Sequence, residues 1–247
     1  MPILYIVTLA VQITCIVHCI KTQRNMMWIL ALVFMPLLGA AIYAIVEILP
    51  DLTRSRGTRR AMRGLRGTLN PEGDLRRLEN EVKVTGNVHS RQRYADELVR
   101  LGRANEAVEV YKNCLTGVFA EDPKLLLGFA QAQFAAGLPA GTRATLDDLI
   151  AKNPDFKSAD GHLLYARALE GEGDTDKALA EYSTLAEYFP GAEAGVRYAR
   201  LLKRKGHAPQ ARKILENLLD RAKFAPAHYR RAQRDWLDQA ESELRGL

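Results

Sequence analysis

The residues able to do chemistry are few and scattered. The chain has five histidines and three cysteines. No two histidines stand four apart as a helical metal pair, and none stands near a cysteine at a zinc-holding spacing. Cys15, Cys19 and Cys114 offer neither a disulfide framework nor a ligand set. That usage suits a reducing compartment for the C-terminal part. No glycine-rich phosphate loop and no nucleophile elbow occurs. His228 and Asp235 lie seven residues apart in a segment that reads as helix, where residues at that spacing share a face whatever their purpose. The expectation is a chain without catalytic residues, cofactor or metal, whose work is binding.

Charge and hydropathy divide the 247 residues unevenly. The formal charge is +6 and the pI about 9.3, with a mean hydropathy of -0.18. Those averages conceal three zones. The first fifty positions carry only Lys21, Arg24 and Glu47 as charges. Positions 51–70 carry Arg54, Arg56, Arg59, Arg60, Arg63 and Arg66 against Asp51. The remainder balances acid against base. The basic character is therefore a short arginine patch beside an apolar segment, which argues against a nucleic-acid partner.

That apolar segment reads as two membrane helices. Pro2–Ile20 has no charged residue, and Met26–Leu49 has only Glu47. At helical rise the two would reach roughly 28 and 36 Å, against a hydrocarbon core of about 30 Å. A cleaved signal fits poorly, because a basic leader and a small-residue cleavage site are both missing. The short connection 21–25 permits only an antiparallel hairpin. The heavier basic side, 51–70, should face the cytoplasm, so both ends lie inside. Gln12, His18 and Glu47 read as structural polar residues: the first can bond the partner helix, the others can reach an interface.

The second apolar run carries Trp28, Pro36, Gly39 and Tyr43. Pro36 should kink its helix, and Gly39 with Ala40 and Ala44 lets a neighbour approach closely. This Trp followed by Pro-x-x-Gly-x-x-x-Tyr resembles the phospholipase D nuclease N-terminal domain, the module preceding the catalytic part of many bacterial cardiolipin synthases. The resemblance covers about residues 1–50. It implies a bacterial inner-membrane hairpin and, as one reading, an accessory role in cardiolipin metabolism. The catalysis of that family needs His-x-Lys-x-x-x-x-Asp, usually twice. Here Arg230 stands at the lysine position of a single copy, so catalysis is not expected. The arginine patch is expected to orient the chain and hold anionic lipid, each arginine contributing about 1 kcal/mol near such a surface.

The rest repeats. Gly102, Gly137, Gly173 and Gly206 recur at nearly constant spacing. Before them stand Tyr94-Ala95, Phe129-Ala130, Tyr165-Ala166 and Tyr198-Ala199; after them Ala107, Thr142, Ala178 and Ala211, then Tyr111, Leu146, Tyr182 and Leu215. A period near 34 residues with a small residue where helices cross, and a large one filling the gap between pairs, is the mark of a helical solenoid. Leu101-Gly-Arg-Ala-Asn-Glu-Ala107 and Gly173-Asp-Thr-Asp-Lys-Ala178 resemble tetratricopeptide repeats, over about 88–224. The fold expected is all-α: a transmembrane hairpin (about 2–20 and 26–49), a linker at 51–70, and a repeat domain at 71–247. Its units are expected at about 88–122, 123–158, 159–191 and 192–225. Asp74–Val84 should form a leading helix and 226–247 a capping helix. Thr142 and Gly-Leu-Pro-Ala-Gly predict an irregular turn in the second unit. The distances to Pro123 and Pro226 predict long second helices in units one and four.

The resemblance implies a groove lined by the first helix of each pair. Alignment puts His89, Gln92, Asp96, Gln131, Phe134, Arg167, Arg200 and Lys203 there as exposed positions. The later groove is basic, which implies an acidic or C-terminal peptide ligand. The paired lysine and asparagine pattern of chaperone-type carboxylate clamps is missing. The alternative for the same residues is a solvated polar face. The combined expectation is a non-enzymatic, membrane-anchored scaffold binding a protein or peptide partner.

Overall fold

The computed structural model describes Ile42 and residues 71–247. The predicted hairpin, with Trp28, Pro36, Gly39 and Tyr43, and the arginine linker lie outside the described residues. Among the described residues no helix is long and apolar enough to cross a membrane.

The described chain is helical from end to end. The helices are α1 (Pro71–Thr85), α2 (Val88–Arg100), α3 (Ala104–Cys114), α4 (Pro123–Ala135), α5 (Pro139–Lys152) and α6 (Ala159–Glu172). They continue as α7 (Thr175–Tyr188), α8 (Glu193–Arg204), α9 (Ala208–Phe224), α10 (Ala227–Ala232) and α11 (Arg234–Arg245). Local sequence sets many of the starts. Asn87 caps α2 through Ser90 N at 2.7 Å, Asp122 caps α4 with Pro123 at its first position, and Ser158 caps α6 through Gly161 N at 3.0 Å. Each cap satisfies an N–H that the helix itself leaves unbonded.

Four antiparallel pairs follow one another: α2/α3, α4/α5, α6/α7 and α8/α9. Every intra-pair turn closes the same way. At the second turn Gly137 has φ +75°, donates to Phe134 O at 3.0 Å, and is followed by Leu138 N bonding Gln133 O at 2.9 Å. At the third, Gly173 has φ +83° and Asp174 N reaches Leu169 O at 3.0 Å. This is the closure that a left-handed glycine permits at a helix C-terminus. The irregular turn expected in the second unit is thus regular. Thr142 is fully buried in the alanine position, and its hydroxyl donates to Leu138 O at 2.9 Å. A local backbone acceptor makes threonine tolerable there.

Ala107, Thr142, Ala178 and Ala211 are all buried to 0% exposure. Their small size lets the two helices of each pair cross closely. Tyr111, Leu146, Tyr182 and Leu215, one turn on, are buried between pairs. Tyr111 lies so close over Gly128 of α4 that a side chain at that glycine would collide with its ring. Adjacent pairs then stack through α3 on α4, α5 on α6 and α7 on α8. The tyrosine hydroxyls remain bonded: Tyr111 donates to Asp96 and Tyr182 to Glu170 at 2.9 Å.

Two boundaries differ from expectation. The second helix of unit one stops at Cys114, and a 3₁₀ turn, Gly117–Phe119, carries the chain to α4. Thr116 is already extended, at φ -133° and ψ 151°, and Gly117, at φ +56°, opens the 3₁₀ turn. The capping helix is two helices, α10 and α11, parted at Gln233. Gln233 turns its side chain back, and its Oε1 accepts from Ala192 N at 2.9 Å. At the other end, Leu75 and Leu78 of α1 are buried, and Leu75 packs with Ala95 and Leu98.

Leu215 is a direct measure of the gap-filling role. Leu215→Ala should destabilise the repeat domain by about 2–5 kcal/mol, the cost of an uncollapsed core cavity. Urea unfolding followed by circular dichroism checks it. A loss below about 0.5 kcal/mol would show that the gap closes without a large residue.

Candidate functional site

The two helices of a pair are not equivalent. First helices touch one another across the stack, α2 to α4 and α4 to α6, and α11 touches α8 in the same manner. Among the described residues no two second helices make comparable contact. The first helices therefore form an inner layer and the second helices a more widely spread outer layer.

The inner layer carries the residues named from sequence. His89, Gln92 and Asp96 lie on α2, Gln131 and Phe134 on α4, Arg167 on α6, and Arg200 and Lys203 on α8. Gln131 and Asp96 are exposed, and Gln92 is half-buried. Asp96 is committed in part, since it accepts the Tyr111 hydroxyl. The Arg167 guanidinium sits 4.6 Å over the Phe134 ring, a cation–π contact joining α4 to α6. Its Nε makes no hydrogen bond among the described residues but stands 3.6 Å from Glu193 Oε1, an ion pair slightly longer than a bond.

From Arg167 onward a lattice of ion pairs crosses the layer. Glu193 accepts from Arg197 Nε at 2.8 Å. Glu170 on α6 accepts Arg197 at 3.2 Å and Arg204 at 2.8 Å. Arg197 also lies 5.4 Å over the Trp236 ring of α11. These acids and arginines were not singled out in the sequence. Only the i,i+4 spacing of Glu193 and Arg197 signalled one of the contacts.

Arg200 and Lys203 do not stand free in the groove as expected. Arg200 Nε donates to Glu243 Oε1 at 2.7 Å and its Nη2 to Gln239 at 2.7 Å. Lys203 reaches the other Glu243 oxygen at 3.4 Å. The physical reason is the carboxylate-bearing face of α11, which docks on α8 and supplies the anion. The basic end of the inner layer is thus largely neutralised from within. The membrane-surface arginines named from sequence, Arg54 to Arg66, lie outside the described residues.

Profiles of the tetratricopeptide repeat match residues 98–168 and 160–192. The helix pairs within those residues are similar to tetratricopeptide repeats. No curated protein matches the chain. Among solved structures, a crystal structure of MamA has 20% identity and a TM-score of 0.54, covering 68% of this chain and 95% of that one. MamA 41-end from Desulfovibrio magneticus RS-1 has 17% identity and a TM-score of 0.55, covering 69% and 93%. TTC0263, a thermophilic tetratricopeptide protein of Thermus thermophilus, has 19% identity and a TM-score of 0.52, covering 72% and 96%. At these identities the likeness is one of fold. On that ground the matched residues, 98–192, read as a protein-interaction module.

Chemically, the inner layer can present hydrogen-bonding amides at Gln92 and Gln131 and a carboxylate at Asp96, while the Phe134 ring is covered by Arg167. The hydrogen bond from Arg200 holds the Glu243 carboxyl below its ordinary value of about 4.5; Lys203 adds to this and burial opposes it. A carboxyl lowered by folding contributes stability that is full above its unfolded value and is lost as pH falls through its folded value. Glu243→Gln should therefore destabilise the domain at pH 7, by about 0.5–1 kcal/mol because solvent screens the half-buried site. Wild type and variant should converge as pH falls through the lowered folded value. Thermal melts at successively lower pH from 7 test this, and a gap that does not narrow as pH falls would contradict the pairing.

Proposed function

We propose that this chain is a membrane-anchored scaffold whose tetratricopeptide repeats recruit a protein or peptide partner. The observation that carries the reading is the inner layer itself. First helices lie side by side from α2 through α4 to α6, so the exposed Asp96 and Gln131 and the half-buried Gln92, Phe134 and Arg167 form one row across several repeats. A peptide laid on such a row meets a preformed surface and loses little of its binding energy to ordering the protein.

In this reading the row runs through Gln92, Asp96, Gln131, Phe134 and Arg167. Arg200 and Lys203 lie at its far end, where α11 shares their charge. The first half of the row is then where a partner makes its direct polar contacts. Anchoring rests on sequence: two apolar runs at 2–20 and 26–49, and six arginines at 51–70. The resulting organisation is a hairpin at 1–50, a linker at 51–70 and the repeat domain at 71–247, with the repeats on the cytoplasmic side of a bacterial inner membrane.

A photoreactive residue at Gln131, on the inner layer, is compared with one at Lys213, exposed on the outer helix α9. The full chain is kept in native membranes. Illumination should give a discrete protein adduct from position 131 and none from 213, and alkaline washing should leave the chain in the membrane pellet. Equal adducts from both positions would remove the inner-layer reading, and release by alkali would remove the anchor.

A further inference from the structure

One arginine of the inner layer keeps its hydrogen-bonding capacity unspent. Helices α6 and α8 carry four arginines: Arg167, Arg197, Arg200 and Arg204. Arg197 donates to Glu193 and Glu170, Arg200 to Glu243 and Gln239, and Arg204 to Glu170. Arg167 donates no hydrogen bond among the described residues. Its contacts are the Phe134 ring at 4.6 Å and Glu193 Oε1 at 3.6 Å. A guanidinium carries five N–H donors in a planar fork. The Nε of Arg167 is covered, on the side of Glu193. The two Nη groups are equally unbonded but are not covered. Only 32% of the side chain is exposed, so the open end of the fork stands on a stem held by its surroundings.

The charges around it do not compensate it. Glu193 gives the same oxygen to Arg197 at 2.8 Å, so Arg167 is the weaker claimant on that carboxylate. Glu170, one turn along α6, already accepts from Tyr182, Arg197 and Arg204. Glu243 is shared by Arg200 and Lys203. Three carboxylates therefore serve five cations, and Arg167 is the least compensated of the five. Asp96, the acid of the row, stands on α2, with α4 between it and α6. On α4 the exposed Gln131 precedes Phe134 by three residues, a spacing that puts its amide on the same face as the ring.

We infer that Arg167 is the anion-binding point of the inner layer, and that the partner peptide brings a carboxylate to it from an acidic side chain or a chain terminus. This rests on reading the inner layer as the partner surface, and it adds the chemistry of the ligand. The two Nη groups offer parallel N–H bonds at the end of the fork. A carboxylate has two oxygens at the matching separation, which an ammonium cannot engage in the same paired way. Phe134 lies under the face of the guanidinium and the ligand meets its edge, so the cation–π contact and the new bonds coexist. Gln131 is placed to bond the ligand's backbone beside the carboxylate.

The test uses the full chain in detergent with isotope-labelled arginine, and reads the guanidinium signals by NMR. Arg167→Lys, which should leave the other arginine signals in place, assigns the signal of Arg167. Three peptides are titrated: acetyl-Gly-Glu-Gly-amide with a side-chain carboxylate, acetyl-Gly-Gly-Gly with a terminal one, and acetyl-Gly-Gln-Gly-amide with neither. The Arg167 signal should shift to saturation with one or both carboxylate peptides, and the response to each tells which source of carboxylate the site accepts. The amide peptide should bind about tenfold or more weakly. Phe134→Leu, which removes the platform and keeps the charge, should weaken the carboxylate titration about threefold. Lys213→Ala on α9 should change nothing.

No shift with any peptide, or equal shifts with all three, would overturn the inference. So would shifts at Arg200 or Arg204 with Arg167 unmoved, because the anion would then sit elsewhere in the lattice. A saturable carboxylate shift at Arg167, with no protein adduct from position 131 in native membranes, would keep the anion site and remove the recruitment reading instead.

Discussion

The close crossing of two helices at a small residue is the constraint on which the rest depends. Ala107, Thr142, Ala178 and Ala211 have no exposed surface, and nothing larger would let the helices of a pair lie together. Once they do, the next inward residue on each second helix must fill the space left toward the following pair. Tyr111, Leu146, Tyr182 and Leu215 do this. The left-handed glycine in each turn is what allows the second helix to return at the required angle. Interiors packed to crystal-like density tolerate little change in volume, so the pattern of small and large residues recurs with the fold.

A stack built this way transmits stability only between neighbours, which makes its ends special. At the N-terminal end Leu75 and Leu78 of α1 cover the first pair. At the C-terminal end Trp236, Ala240 and Leu244 of α11 pack against Val196, Leu202 and Leu215. This end also carries charge. Glu243 draws in Arg200 and Lys203, and Trp236 takes the face of Arg197. The last cap thus does two things at once: it closes the core and it settles the electrostatics of the inner layer. The exposed polar residues of the inner layer, Asp96 and Gln131, lie toward α2 and α4.

Most of the repeat architecture was legible because it is written in local types. Glycine, a small residue five positions on and a large one four further recur in four units, and each has a local physical reason. What escaped the sequence was set over longer distance. Glu243 is 43 residues from Arg200, and no spacing rule connects them. The parting of α10 from α11 depends on Gln233 reaching Ala192, again a contact between distant segments. Thr142 misled in the other direction: its type suggested a disturbed turn, while a hydroxyl bond to Leu138 O removed the difficulty.

The solenoid is held together pair by pair, and α11 covers the last pair. Amide hydrogen exchange on the full chain, compared with the same chain ending at Ala225, addresses it most directly. Protection should fall in α8 and α9, which lose their cover, while α2 to α7 keep theirs. Unchanged protection in α8 and α9, or its uniform loss from α2 onward, would contradict it.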